Sequence, residues 1–175
     1  LAAACWALAT AAKMLPLLFL PVIWRWLGWR KGLIFNLVFG AISLVLFAPL
    51  LPVLPNILES LDLYFRQFQF NASVYYLLRA LGFSLRGYDV GELLGPWLGV
   101  ATFLGALLLA LLWPSRKQRE TATLAGAMVY TLLIYLSFSA TVHPWYITVP
   151  MAISLFTRRH FAILWSGLAA LSYSH

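Results

Sequence analysis

The chain has 175 residues, of which 63% are hydrophobic, 16% aromatic and only 10% charged, with a mean hydropathy of +0.87. A soluble domain carries about a quarter charged residues, so this composition excludes a water-soluble globule and specifies a polytopic integral membrane protein. The net charge of +7 is carried in short basic clusters between apolar runs, not in a stripe that could track a phosphate backbone, which excludes nucleic acid as a partner.

Taken in chain order, the apolar runs predict an all-α transmembrane bundle forming one domain over residues 1–175, with about six spans. The first covers residues 1–24 and the second 33–54. A polar, mixed-charge stretch over 55–92 follows. Further spans cover 93–113, 121–142, a short 144–156 and 161–173. Leu1 and His175 both lie at the ends of apolar runs, the pattern of a C-terminal fragment of a longer protein. Cys5 is the single cysteine, so no intrachain disulfide is expected.

Lysine and arginine set the expected orientation. Arg25, Arg30 and Lys31, then Arg116, Lys117 and Arg119, then Arg158 and Arg159 follow alternate spans. The positive-inside rule places those turns in the cytoplasm of a plasma (inner) membrane. The 55–92 stretch and the turn at His143 then share the outer side. Within that stretch, Leu58, Leu61, Phe65 and Phe68 recur at helical spacing and predict an amphipathic helix lying in the outer interface. A second helix should start near Val74, capped by Asn71 or Ser73.

His143-Pro144-Trp145-Tyr146 is the strongest candidate site. An imidazole at a water–membrane boundary can hold a phosphate, orient a sugar hydroxyl or relay a proton. Pro144 favours a helix start, and Trp145 and Tyr146 suit either stacking or interface anchoring. Pro150 is expected to break this short span again. Arg66 and Arg79 are suited to gripping a lipid-linked phosphate, or to pairing with Asp62. Lys13 falls in mid-span, where a charge marks a functional position by default, and no acidic partner for it is apparent in another span. Gly91, Gly95 and Gly99 have the spacing of helix packing. There is no metal-ligand spacing and no phosphate-cradling loop, so no cofactor is identified and a divalent metal has no support.

Three pieces in order carry a family resemblance: Ala9 through Lys13 and Pro16 to Pro21, Tyr64 through Arg66, Phe70, Asn71 and Ser73 to Tyr75, and His143 through Tyr146 to Pro150. Together they resemble the polytopic GT-C class glycosyltransferases, in particular the bacterial polyprenyl-phosphate-dependent mannosyltransferase-like proteins. The resemblance implies a hexosyltransferase that moves a mannose-like sugar from a polyprenyl-phosphate donor to a glycan or lipid acceptor on the outer face. It implies a catalytic acidic residue upstream of Leu1, so the catalytic residue of this chain is unknown. It also implies that Arg66, Asn71, Tyr75, His143, Trp145 and Tyr146 bind the donor phosphate and sugar. The alternative is a transporter or flippase segment, or a non-catalytic membrane scaffold. Broken helices and an intramembrane lysine fit a transporter too, but no internal repeat is found.

Overall fold

The computed structural model describes residues 1–113, 120–157 and 161–171, without the side chains of 64–67 and 170. The cations at Arg116, Lys117, Arg119, Arg158 and Arg159 and the chain end at 172–175 lie outside the described residues. Nine α-helices occur among the described residues: α1 (Ala2–Ala12), α2 (Leu20–Leu27), α3 (Trp29–Phe47), α4 (Leu54–Gln67), α5 (Ser73–Arg86), α6 (Gly91–Leu112), α7 (Thr121–Phe138), α8 (Thr148–Ser154) and α9 (Phe161–Leu171). Short 3₁₀ segments at Leu15–Phe19, Ala48–Val53 and Pro144–Ile147 join some of them. The all-α class is as expected. Among the described residues, three stretches are long and apolar enough to cross a membrane: Trp29–Leu63, Gly91–Leu112 and Thr121–Phe138.

The expected first span is not one helix. α1 stops at Lys13, whose backbone is extended at φ −158° and ψ 129°. In a straight helix Trp6 and Phe19 would lie about 20 Å apart along the axis. Instead their ring centroids are 6.1 Å apart, and the Trp6 indole N–H donates to the Pro16 carbonyl at 3.1 Å. The chain therefore turns back at Lys13-Met14, and α1 packs on α3 through Ala3, Ala7 and Phe39. The cause is local: Pro16 and Pro21 lack the N–H groups that would carry a helix through this segment.

The second span also differs from its expected limits. Helical residues run without interruption from Trp29 into α4, and the 35 from Trp29 to Leu63 form one span candidate. Prolines 49 and 52 tighten the middle into a 3₁₀ segment but do not end the run. At 1.5 Å per residue the run is about 50 Å long, well beyond a ~30 Å hydrocarbon core. The α4 portion, with Asn56, Glu59 and Asp62, is thus a continuation of the span and not a separate helix begun after a loop. Pro150 is the third expectation to change. It is buried in the first turn of α8, where no intrahelical N–H bond is required, so it interrupts nothing.

The bundle is inverted relative to a soluble core. Beyond Gly91 in its first turn, the buried positions of α6 are spaced by four, at Leu98, Thr102, Ala106 and Ala110, while Leu104, Leu108, Leu111 and Leu112 of the same helix are exposed. α7 answers with Ala125, Gly126, Ala127, Val129 and Thr131. In lipid, helices gain little from burying one more leucine, so close approach through small residues does the packing. Thr102 and Thr131 satisfy their hydroxyls on the carbonyls four residues back.

The contacts sort the connections to two ends. One end gathers Arg25, Arg30 and Lys31 around Gly28, whose φ of +81° turns α2 into α3 at a cost any other residue would bear as strain. Trp113 and Thr121 belong to that end, since Val22, Ala110, Ala127 and Trp113 share one cluster. The opposite end gathers Lys13, residues 68–72, the α5–α6 turn and residues 139–146.

A Cβ added at Gly105 would lie 2.9 Å from a methyl of Ile134 on α7, whereas one at Gly40 would meet nothing within 4 Å. Gly105→Ala should therefore lower the melting temperature in detergent, by the equivalent of about 1 kcal/mol, while Gly40→Ala should leave it unchanged or raise it. Equal melting of the two variants would contradict the α6–α7 packing described here.

Candidate functional site

Two short extended strips, far apart in sequence, are zipped together by backbone bonds. The Phe70 N–H donates to the Ala140 carbonyl at 3.0 Å, and the Val142 N–H donates to the Phe70 carbonyl at 2.8 Å, forming a parallel bridge between Phe70 and Thr141. The Thr141 hydroxyl adds a bond to the Phe68 carbonyl at 2.8 Å. Ser139 closes the α7 end by donating its hydroxyl to the Thr141 carbonyl and accepting the Thr141 N–H. Asn71 follows in the left-handed region at φ +53°, a conformation asparagine tolerates better than most residues. It turns the strip into α5. Neither Asn71 nor Ser73 holds the N-cap position: Ala72 occupies it, and Ser73 is already helical.

The zipper delivers His143 into an aromatic sandwich. Its ring stacks on Trp145 at 4.3 Å with planes 8° apart, and on Phe70 at 5.1 Å. Tyr146 meets it edge-on at 5.4 Å. His143 Nδ1 is buried and has no hydrogen-bond partner among the described residues. A buried nitrogen left so costs about 1–3 kcal/mol, which a ligand hydroxyl or phosphate oxygen would recover. Trp145 presents an exposed face, so the stack has one side open.

Lys13 reaches the same place. Its ammonium lies 4.7 Å from the centroid of the Tyr146 ring, a cation–π contact. The expected mid-span charge is thus a helix-end charge, and its partner is an aromatic face and not an acid. A cavity of about 240 Å³ opens beside it, lined by Phe68, Gly99, Thr102, Tyr135, Thr141 and Tyr146 among others. Gly99 does not pack a helix here. A Cβ at this position would meet nothing within 4 Å, and the missing side chain makes room.

The other expected site residues are placed as follows. Tyr75 is buried against Ala72 and Leu98, away from the stack, and burial pushes its phenol above its usual pKa. Arg66 lies in α4, four residues before Phe70, and its side chain is outside the described residues, as is any pairing with Asp62. Arg79 is held by the α5–α6 turn. It forms a bidentate ion pair with Asp89 and donates to Gln69 Oε1 at 2.6 Å. Asp89 also accepts the Gly91 N–H at 2.9 Å, which caps the start of α6. This clasp ties the strip carrying Phe70 to α6. Sequence reasoning missed it, together with the roles of Gln69, Ser139 and Thr141. The one available signal was a pair of hydroxyl residues, Ser139 and Thr141, within four residues before His143. Among the described residues, no three His, Cys, Asp or Glu side chains converge as a metal site.

No protein-family model, curated protein or solved structure matches this chain.

The hydrogen bond from Arg79, then that from the Gly91 N–H, holds the Asp89 carboxyl at a pKa of about 2, below its ordinary 3.8. A depressed carboxylate stabilises the fold fully above its ordinary pKa and loses that contribution as pH falls toward the lowered value. Melting measured from pH 5 to pH 2 should therefore drop for the wild type between about pH 4 and pH 2. Asp89→Asn should start lower at neutral pH and fall less over the same window. Parallel curves for the two proteins would show that the clasp contributes nothing.

Proposed function

We propose that this chain forms part of a membrane glycosyltransferase that takes a hexose, mannose-like, from a polyprenyl-phosphate donor and passes it to a glycan or lipid acceptor on the outer side of a plasma membrane. One observation carries the reading: the buried, unpaired Nδ1 of His143 sits inside an aromatic stack, one side chain removed from the Lys13 ammonium. All three pieces of the sequence that carry the resemblance contribute to this end of the bundle: Lys13 from the first, Phe70 from the second, and His143 with Tyr146 from the third.

Sugar transfer from such a donor breaks the bond between the anomeric carbon and the phosphate oxygen and forms one to an acceptor hydroxyl. The phosphate leaves with its negative charge. Positive charge and hydrogen-bond donors at that oxygen lower the barrier. His143 is assigned to the phosphate, with Lys13 supplying a field of favourable sign from beyond Tyr146. Arg66, four residues from Phe70, is assigned to the same phosphate. Trp145 offers its open face to the sugar, since aromatic faces bind the C–H surface of a hexose while its hydroxyls find polar partners. Phe68 and Tyr135 border the apolar cavity, where the first isoprene units of the donor would lie. Asn71 acts through the turn that aims Phe70, and Tyr75 through packing. An acidic residue elsewhere in the protein is assigned to deprotonate the acceptor. This end of the bundle is assigned to the outer side and the Arg25–Lys31 end to the cytoplasmic side.

Membranes carrying the full-length protein and a labelled polyprenyl-phosphate hexose should incorporate label into lipid or glycan. His143→Ala should lower turnover about a hundredfold at unchanged expression, and Gly99→Phe should abolish it by filling the cavity. Normal turnover in both folded variants would sink the site assignment, and absence of any transfer by the wild type would sink the activity.

A further inference from the structure

A second cavity lies at the other end of the bundle, and the sugar-transfer reading does not use it. It is a groove of about 720 Å³ between α2, α3 and α6, walled by Leu17, Trp24, Phe103, Leu107 and Leu111, with Arg25 at its edge. From Leu17 in the 3₁₀ segment to Arg25 on α2, and from Phe103 to Leu111 on α6, the walls run eight residues, about 12 Å at the helical rise. That is close to the ~15 Å depth of one leaflet's hydrocarbon. The groove is therefore long enough for one chain segment of a lipid within a single leaflet, and its lining is almost wholly apolar.

Its mouth is cationic. Arg25, Arg30 and Lys31 are all exposed at the α2–α3 turn, and none is paired with a carboxylate among the described residues. Trp24 and Trp29, whose rings are 5.5 Å apart, line the groove beside Arg25. Paired indoles at this level mark the headgroup boundary, where an amphipathic ring is most stable. The groove thus combines an apolar wall, two indoles and Arg25 in its lining, with Arg30 and Lys31 on the adjacent turn.

We propose that this groove is a binding site for one anionic phospholipid of the leaflet at the basic end, its acyl chain between α2 and α6 and its phosphate against Arg25 with support from Arg30 and Lys31. Charge complementarity selects the occupant. A zwitterionic lipid would bring its own cation to a mouth already carrying three, whereas a phosphatidylglycerol headgroup brings a net negative charge. The lipid fills the contact that α6 does not make with α3 among the described residues. It thereby holds the basic turn in position. The site is at the opposite end of α6 from His143 and stands whether or not sugar transfer is the activity.

Native mass spectrometry of the full-length protein, released from nanodiscs of phosphatidylglycerol mixed with phosphatidylcholine, tests this directly. One phosphatidylglycerol per chain should be retained in preference to phosphatidylcholine. Arg25→Gln should weaken that retention about fivefold, the effect of one interfacial cation. Leu107→Trp, which fills the groove, should remove it. Arg86→Gln, at the opposite end, should change nothing. Arg25 is exposed, so its variant carries the test even if Leu107→Trp fails to fold. Equal retention of the two lipids, wild-type retention by folded Arg25→Gln, or preferential retention of an added polyprenyl phosphate at the groove would each overturn the proposal.

Discussion

Two backbone hydrogen bonds organise the candidate site: Phe70 to Ala140 and Val142 to Phe70. They join strips about seventy residues apart, and they do so where α7 has ended and α5 has not begun. Irregular backbone at the edge of a membrane must find partners for its N–H and C=O groups, because lipid supplies none. Here each strip satisfies the other, and the hydroxyls of Ser139 and Thr141 take up polar atoms beside them. The consequence for function is positional. With the strips fixed side by side, Phe70 and Trp145 hold the imidazole of His143 from either side. The Arg79–Asp89–Gln69 clasp then couples that arrangement to the first turn of α6.

The surrounding bundle explains how a charged residue reaches this place. A continuous first span would have left Lys13 in the hydrocarbon, at a cost of several kcal/mol. The fold-back at Lys13-Met14 instead puts the lysine at a helix end, where its ammonium rests on the Tyr146 face. The prolines that stop the helix and the lysine that needs a way out of lipid are therefore parts of one solution. The small-residue seam between α6 and α7 serves the same end. It brings the α6 wall with Gly99 and Thr102 and the α7 terminus with Ser139 to the lining of one cavity.

Much of this was legible in the sequence, for identifiable reasons. Apolar run length located the helices at Gly91–Leu112 and Thr121–Phe138 to within a few residues, apart from the last residues before His143, because burial in lipid imposes length directly. Lysine and arginine spacing anticipated that residues 55–92 and His143 would share an end, and the Phe70–His143 stack bears out their proximity. What hydropathy could not register was direction. Residues 1–24 have the composition of one span, and it is the Trp6–Pro16 bond and the Trp6–Phe19 contact that reveal the chain doubling back. Nor could it join α4 to α3, since prolines 49, 52 and 55 among apolar residues read as a boundary, whereas the first two sit in a 3₁₀ segment and the third in the first turn of α4. The family resemblance implied a donor-binding role for Tyr75. Its place on α5 instead turns it inward onto Ala72 and Leu98. The clasp at Arg79 was hidden because both its partners, Gln69 and Asp89, lie ten residues away in opposite directions.

The zipper is the feature on which the site depends, and disulfide trapping reads it directly. With Cys5 replaced by serine, the pair Phe70→Cys and Thr141→Cys should close into an intramolecular disulfide on mild oxidation in the membrane, since bridge-paired positions fall within the Cα separation a disulfide needs. The control pair Phe70→Cys and Glu120→Cys, which spans the two ends of α7, should not close. Failure of the first pair in folded protein, or equal closure of both, would contradict the convergence of Lys13, Phe70 and His143 at one end of the bundle.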